Sequence, residues 1–222
     1  DIEVPASVAS LLWSTAGDAD EGATRRLLLR LFNLSLLLHF DLQKRSFRLH
    51  DIIHKWLRRE AGPAGVTKLD EALVAGYRSS CGGKWYELPD DGYVFRHLPS
   101  HLRASDEPAW RDMLLDPRWM GRKLEVVGIT ALIADYEAAG DKDLRLIGDG
   151  LRLAAHILAR DPAQLSGQLC GRLGAFEQPA CRRVVVAARS GLHQATLVPR
   201  LPSLTPPGGP LLQVLTGHGG SV

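Results

Sequence analysis

Residues 37–60 read LLHFDLQKRSFRLHDIIHKWLRRE, and this stretch decides the fold of the first part of the chain. Residues 37–41 are a short apolar run with strand character. Residues 47–49 alternate apolar and polar side chains as a half-buried strand does, and the polar residues 42–46 between the two runs predict a turn. Residues 51–60 carry apolar side chains at helical spacing, which predicts a helix. The apolar side of that helix consists of Ile52, Ile53, Trp56 and Leu57.

Two helices are predicted before these strands. Val8, Leu11 and Leu12 give a short helical stripe, and residues 21–36 give a longer helix. The apolar face of the longer helix consists of Leu28, Leu31, Phe32 and Leu36. The order helix, helix, strand, turn, strand, helix is that of a winged-helix variant. We therefore predict a winged-helix domain over residues 1–62.

A helical region is predicted after the sequence Ala-Gly-Pro-Ala-Gly at residues 61–65, which indicates a break. Asp116-Pro117 places an acceptor side chain at a helix N-cap and a proline at the first helical position. The clearest 3.6-residue apolar stripe consists of Leu144, Ile147, Leu151, Ala154 and Leu158. The fold class is therefore predicted to be mainly α, with an antiparallel helical bundle or arm over residues 66–197.

The composition changes again near the C-terminal end. Proline and glycine dominate from Pro199 onward and cannot continue a helix, which predicts a semi-extended linker over residues 198–210. Residues 211–222 are an apolar run followed by Gly217-His218. A Gly-His dipeptide ahead of a short turn and a strand is a feature of WD-repeat β-propellers, and the tail resembles the start of such a propeller.

Composition and charge are those of an ordinary globular protein. The 222 residues are 45% hydrophobic and carry a net charge of +2, which counts against a nucleic-acid partner. No apolar run approaches the roughly 18–20 residues needed to cross a bilayer, and no signal peptide is visible. Three cysteines without a C-x-x-C pair, Cys81, Cys170 and Cys181, predict reduced and buried thiols in a cytoplasmic protein.

The first part of the chain resembles the winged helix that ends the nucleotide-binding module of NB-ARC proteins, a class of STAND signalling ATPases. That family has a Met-His-Asp motif between a strand and a helix, and this sequence reads Leu49-His50-Asp51. In the family the histidine contacts the β-phosphate of bound ADP and helps to hold the resting state. The resemblance implies that His50, flanked by Leu49 and Asp51, senses an ADP phosphate in the full-length protein.

The middle of the chain adds to the resemblance. The class of STAND ATPases also includes apoptotic protease-activating factor. In its bacterial members a helical region lies between the winged helix and the propeller, and two stretches of this sequence, residues 93–102 and 114–120, are similar to that region. The resemblance implies partners on either side: an upstream nucleotide-binding domain that holds ADP or ATP with Mg, and a downstream WD-repeat propeller. It also implies that activated protomers assemble into a homo-oligomer.

One departure from the family indicates whether this chain can hydrolyse ATP by itself. The sequence contains no G-x-x-x-x-G-K-[ST] phosphate loop, so this chain is predicted not to be an enzyme and to bind no cofactor by itself. The family resemblance then implies a non-catalytic regulatory segment, which couples the nucleotide state to the propeller sensor and to oligomerisation. The ATPase core would lie upstream of Asp1.

Two other functions stay open. A winged-helix regulator would bind DNA through a helix in the major groove and a basic wing. The candidate phosphate contacts are Arg25, Arg26, Arg30, Lys44 and Arg45. Alternatively, the chain is a helical scaffold for protein–protein interaction, in which case His50 has no special role.

A metal site is not predicted. His50 and His54 have the i, i+4 spacing of metal ligands but lack the glutamate of the metalloprotease pattern. His97 and His101 have the same spacing, but Pro99 between them is expected to break the helix, so packing histidines are predicted there. The following aromatic residues are predicted to be core and interhelical anchors: Trp56, Trp85, Tyr86, Tyr93, Trp110, Trp119 and Tyr136.

Overall fold

The computed structural model describes residues 2–17, 19–41, 43–190, 199 and 201–214. The chain divides into two compact units, Asp1–Trp110 and Arg111–Val222. Within the described residues the protein consists mostly of α-helices together with one small sheet, which confirms the predicted mainly α class. None of the helices in this part of the chain combines the length and the apolar character that crossing a membrane requires.

The sheet lies in the first unit and consists of β1 (Val4–Pro5), β2 (Leu37–Asp41) and β3 (Ser46–Leu49) in the order β1-β3-β2. Both pairings are antiparallel, and Phe47 of β3 faces Val4 on one side and Phe40 on the other. The turn between β2 and β3 is held by Oδ1 of Asp41, which accepts hydrogen bonds from two backbone N–H groups of the turn. The two longer strands and the turn lie where the sequence predicts them.

Two helices pack on the sheet. They are α1 (Ala6–Gly17) and α2 (Glu21–Asn33), and Asp20 caps α2 by accepting a hydrogen bond from Ala23 N at 2.6 Å. A core cluster between these helices and the sheet consists of Ala9, Leu28, Leu37 and Phe47. Helices, strands and sheet order are consistent with the predicted winged helix.

The helical segment after the sheet, α3 (Asp51–Cys81), is interrupted where the sequence predicts a break. Gly62 has φ 63° and ψ 175°, which are not helical, so α3 consists of two helical halves on either side of a kink. These angles belong to a region that only glycine adopts readily. Pro63 then occupies the first position after the kink, where the N–H that proline lacks has no helical partner.

Two more helices follow in the sequence, α4 (Val94–Ser105) and α5 (Glu107–Leu114). The prediction that Pro99 breaks the helix is wrong, since Pro99 lies inside α4. Proline removes one i→i−4 hydrogen bond, but the ring of Pro99 is buried, and the apolar burial offsets the missing bond. The helix α4 packs against α3.

The helices wholly within the second unit are α6 (Pro117–Val127), α7 (Ile129–Glu137), α8 (Lys142–Leu158), α9 (Leu165–Leu173) and α10 (Pro179–Ser190). Asp116 caps α6 with a proline at its first position, as the sequence predicts. The predicted stripe of α8 is fully buried: Leu144, Ile147, Leu151, Ala154 and Leu158. This face packs against α7 and α9.

The described part of the predicted linker lies against α9 instead of extending into solvent. Arg172 Nη1 donates a 2.9 Å hydrogen bond to the carbonyl of Thr205, and Leu204 N donates to the carbonyl of Gly171 at 3.2 Å. Pro207 is buried. Residues 215–222, which include Gly217-His218 and most of the predicted propeller start, lie outside the described residues, as do residues 191–198.

Candidate functional site at the start of the long helix

His50 lies between the sheet and the first turn of α3. It is the N-cap residue of this helix, with φ −63° and ψ 137°, and its backbone carbonyl accepts the hydrogen bond from His54 N. Its side chain makes no capping hydrogen bond. The imidazole is therefore held at a helix N-terminus, which favours anions, without being used to cap that helix.

The residues on either side of His50 have different environments. Leu49 ends β3, pairs with Leu37 and packs against the core of the first unit. Asp51 is the first residue of α3 and is exposed. Leu49 therefore anchors the backbone of His50, while Asp51 remains accessible to a partner and suits the positive end of the helix dipole.

The first half of α3 exposes its apolar side chains. The exposed fractions of Ile52, Trp56 and Leu57 are 80%, 49% and 44%. The prediction that Trp56 is a core anchor is therefore wrong. We call these three residues the apolar face of α3. Exposed apolar groups of this kind are typical of surfaces that contact another protein or domain.

The basic residues of the DNA-binding alternative fall into two sets. Arg25, Lys44 and Arg45 line one cavity in the first unit, whereas Arg26 and Arg30 do not line it. All five side chains are exposed. Arg45 Nη1 lies 3.4 Å from Glu21 Oε1, a weak contact between two highly exposed groups.

A hydrogen-bonded chain of three side chains connects α3 to α4. Nδ1 of His101 lies 2.7 Å from Oδ1 of Asp70, and Nε2 of His101 lies 2.8 Å from the hydroxyl of Tyr93. Burial raises the pKa of Tyr93 to about 12, and the carboxylates of Asp70 and Asp91 act in the same direction. Tyr93 is therefore a neutral donor or acceptor at ordinary pH. The predicted role of His101 as a hydrogen-bonded packing residue is confirmed.

Sequence reasoning did not identify this chain of side chains. Asp70 and His101 are 31 residues apart, and no spacing rule connects an acid on one helix to a histidine on another. Across the described residues, no group of three or more His, Cys, Asp or Glu side chains could hold a metal ion. All three cysteines are free and buried, and burial raises the pKa of Cys181 to about 11, which keeps it a thiol.

Comparison with known protein families finds a match to part of the chain. A family model described as the APAF-1 helical domain matches residues 66–170, from the second half of α3 into α9. No curated protein matches the chain. The matched residues begin four positions after the kink at Gly62, in the second half of α3, whereas His50 caps the first half. Residues 66–170 are therefore a helical segment similar to the non-catalytic helical domain of APAF-1.

Proposed function

We propose that this chain is a regulatory segment of a STAND-type signalling ATPase. Its role is to couple the nucleotide state of an upstream ATPase core to a downstream WD-repeat sensor. One observation carries the proposal: the first half of α3, which His50 caps, ends at the kink at Gly62, and the segment that matches the APAF-1 helical domain begins four residues later. Only this kink thus separates the candidate phosphate sensor from the helical segment.

The surroundings of His50 support a phosphate contact. Its side chain makes no capping hydrogen bond, and the N-terminus of a helix is a favourable place for an anion. The imidazole would donate one hydrogen bond to a phosphate oxygen of ADP. Since the sequence has no phosphate loop, the nucleotide and its Mg would be held mainly by residues upstream of Asp1.

The apolar face of α3 supports a docking role for the same region. Ile52, Trp56 and Leu57 follow His50 within two turns of the helix. A nucleotide-binding domain that placed ADP at His50 would also cover this face. Release of the nucleotide contact would then uncover the apolar face and favour assembly of protomers, as expected of a two-state switch in the cytoplasm.

Nucleotide retention by the full-length protein tests the proposal. Wild type is compared with His50→Ala and with His54→Ala, an exposed histidine one turn further along α3. The purified proteins are denatured, and the released nucleotide is identified and counted. We expect wild type and His54→Ala to carry ADP and His50→Ala to lose it or to carry ATP. The same amount of ADP on all three proteins, or none on wild type, would overturn the proposal.

DNA binding is the second candidate, and the five exposed cations of α2 and the turn favour it. Duplex affinity would then fall steeply with salt, because each neutralised phosphate releases counterions. Fluorescence anisotropy with labelled DNA at several salt concentrations measures this slope. Loss of affinity in Arg26→Gln and Arg30→Gln would support DNA binding, since these two residues lie outside the cavity that the other three line.

A further inference from the structure

The first unit contains a cavity that neither the His50 region nor the apolar face of α3 lines. It is bounded by the start of α1, the first half of α2, the β2–β3 turn and Asp91, and its volume is about 720 Å³. Small-molecule sites are usually roughly 300–1,000 Å³, so the cavity has the size of a metabolite site. The apolar part of the cavity wall consists of Leu11, Leu28 and Phe40.

Hydroxyl groups are concentrated on the side of this cavity formed by α1. Ser7, Ser10 and Ser14 lie at helical spacing along α1, and Thr24 of α2 also lines the cavity. The side chain of Thr24 is 2% exposed, and its Oγ1 has no hydrogen-bond partner among the described residues. A buried hydroxyl without a partner is unfavourable, and a ligand oxygen would remove that penalty.

The carboxylates of the cavity are already engaged. Oδ1 of Asp91 accepts hydrogen bonds from Tyr93 N and Val94 N, and its Oδ2 accepts one from the hydroxyl of Tyr77. Glu21 is within 3.4 Å of Arg45. Asp91 therefore has its partners within the protein, whereas Glu21 makes only a weak, exposed contact with Arg45.

Two of the three cations form no close ion pair, although the pKa of the nearby Asp41 is lowered by the backbone hydrogen bonds from Lys44 and Gln43 and, to a lesser extent, by the charge of Lys44. Neither Arg25 nor Lys44 forms a salt bridge with any described residue. The cavity thus combines two cations that form no salt bridge with the hydroxyl groups of Ser7, Ser10 and Thr24, while the hydroxyl of Ser14 donates to the carbonyl of Leu11. A phosphate group, with its double charge and three acceptor oxygens, matches both features better than a single carboxylate does.

We propose that this cavity binds a small organic phosphate, with Arg25 and Lys44 on the phosphate oxygens, Thr24 as a hydroxyl donor and Leu11, Leu28 and Phe40 against the organic part. The site is separate from the proposed nucleotide contact of His50. A metabolite bound there would regulate the first unit, because a ligand that binds only one arrangement of α1, α2 and the turn stabilises that arrangement.

Calorimetric titration of the chain tests the proposal. The probes are inorganic phosphate, glycerol 3-phosphate and AMP, with glycerol and adenosine as uncharged counterparts. We expect the organic phosphates to bind with dissociation constants at or below about 1 mM, inorganic phosphate to bind more weakly, and the uncharged compounds not to bind. No heat of binding for any phosphate up to about 10 mM, or equal binding of the uncharged compounds, would overturn it.

Variants locate the binding. Lys44→Gln and Arg25→Gln should each weaken binding about tenfold or more, as loss of one charge-assisted hydrogen bond does. Thr24→Val keeps the shape of the side chain and removes the unpartnered hydroxyl, so it should weaken binding without lowering the melting temperature. Lys55→Gln is the matched control, because Lys55 is exposed on α3 and does not line the cavity. An equal loss in Lys55→Gln would mean a general charge effect and would contradict the site.

A competition experiment with duplex DNA distinguishes binding of a small organic phosphate from binding of a nucleic-acid backbone. If AMP and duplex DNA compete and Arg26→Gln weakens both equally, the cations serve a nucleic-acid backbone and the metabolite site is refuted. If AMP binds without competition, and Arg26→Gln leaves AMP binding unchanged, the cavity site is supported. Nucleotide retention by His50 in the full-length protein is measured separately, and Lys44→Gln should leave it unchanged.

Discussion

Nδ1 of His101 lies 2.7 Å from Oδ1 of Asp70, and this contact joins α4 to the second half of α3. The side chains are only 20% and 16% exposed. His101→Ala would leave Asp70 and the hydroxyl of Tyr93 without their shared partner, so we expect a loss of about 1–3 kcal/mol in the free energy of unfolding. Urea denaturation measures it. His54→Ala, on an exposed histidine, should change stability little, and a similar loss there would contradict this role for His101.

The apolar face of α3 makes a prediction about stability. Ile52 is 80% exposed, so Ile52→Lys should change the free energy of unfolding by less than about 0.5 kcal/mol. Leu28 is 1% exposed in the core of the same unit, and Leu28→Ala should lower stability by about 2–5 kcal/mol. Urea denaturation of both variants checks the contrast. A large loss in Ile52→Lys would show that the face is covered within this chain.

Gly171 makes a prediction about the segment that lies on α9. A Cβ atom at Gly171 would lie 2.8 Å from Cγ of Leu204, which is too close for two carbon atoms. Gly171→Ala should therefore lower the free energy of unfolding by about 1–3 kcal/mol and expose residues 201–214 to limited proteolysis. Gly209→Ala is the control, since a Cβ atom there meets nothing within 4 Å. Adding Leu204→Ala to Gly171→Ala should restore part of the loss, and failure to do so would argue against the close contact.

The buried pair of Lys123 and Asp135 in the second unit leads us to predict that the free energy of unfolding depends on pH. Lys123 Nζ lies 2.6 Å from Asp135 Oδ2, yet burial raises the pKa of Asp135 to about 6, against the opposing effect of Lys123. Asp135 thus binds its proton more tightly in the folded state than in the unfolded state. Its contribution to stability is fully present below about pH 4 and is lost as the pH rises through about 6.

Asp135→Asn removes this titration and keeps an oxygen that can accept from Lys123. The difference in the free energy of unfolding between wild type and Asp135→Asn should therefore change between about pH 4 and pH 7 and be constant outside that window. Urea denaturation at a series of pH values measures it. Glu125→Gln, on an exposed acid, should leave the wild-type profile unchanged. Identical profiles for wild type and Asp135→Asn would mean that Asp135 has an ordinary pKa.

Local signals explain what the sequence predicts well. The apolar run at residues 37–41, the alternation at residues 47–49, the stripe of α8 and the cap at Asp116 each depend on neighbours within a few positions. Each structure forms where it is predicted. Trp56 shows the limit of such signals. Helical spacing tells which side chains share a face, but it does not tell whether another element covers that face.

The two candidate sites differ in how far the sequence predicts them. The sequence predicts His50 through its resemblance to a three-residue family motif, Leu49-His50-Asp51. The cavity was not found, because its walls come from α1, α2, the β2–β3 turn and Asp91, and the buried state of Thr24 is visible only after folding. The continuation of α4 through Pro99 is not predicted either. Proline usually breaks a helix, but here burial of the proline ring outweighs the loss of one backbone hydrogen bond.

The kink at Gly62 makes the first half of α3 a lever arm. Eleven residues separate Gly62 from the start of the helix at Asp51, which corresponds to about 16 Å of helix. A change of about 20° in the kink angle would therefore carry the end of this arm by roughly 5–6 Å, about the length of one helical turn. A small backbone rotation at this glycine would thus be amplified into a displacement of His50 that is longer than a hydrogen bond.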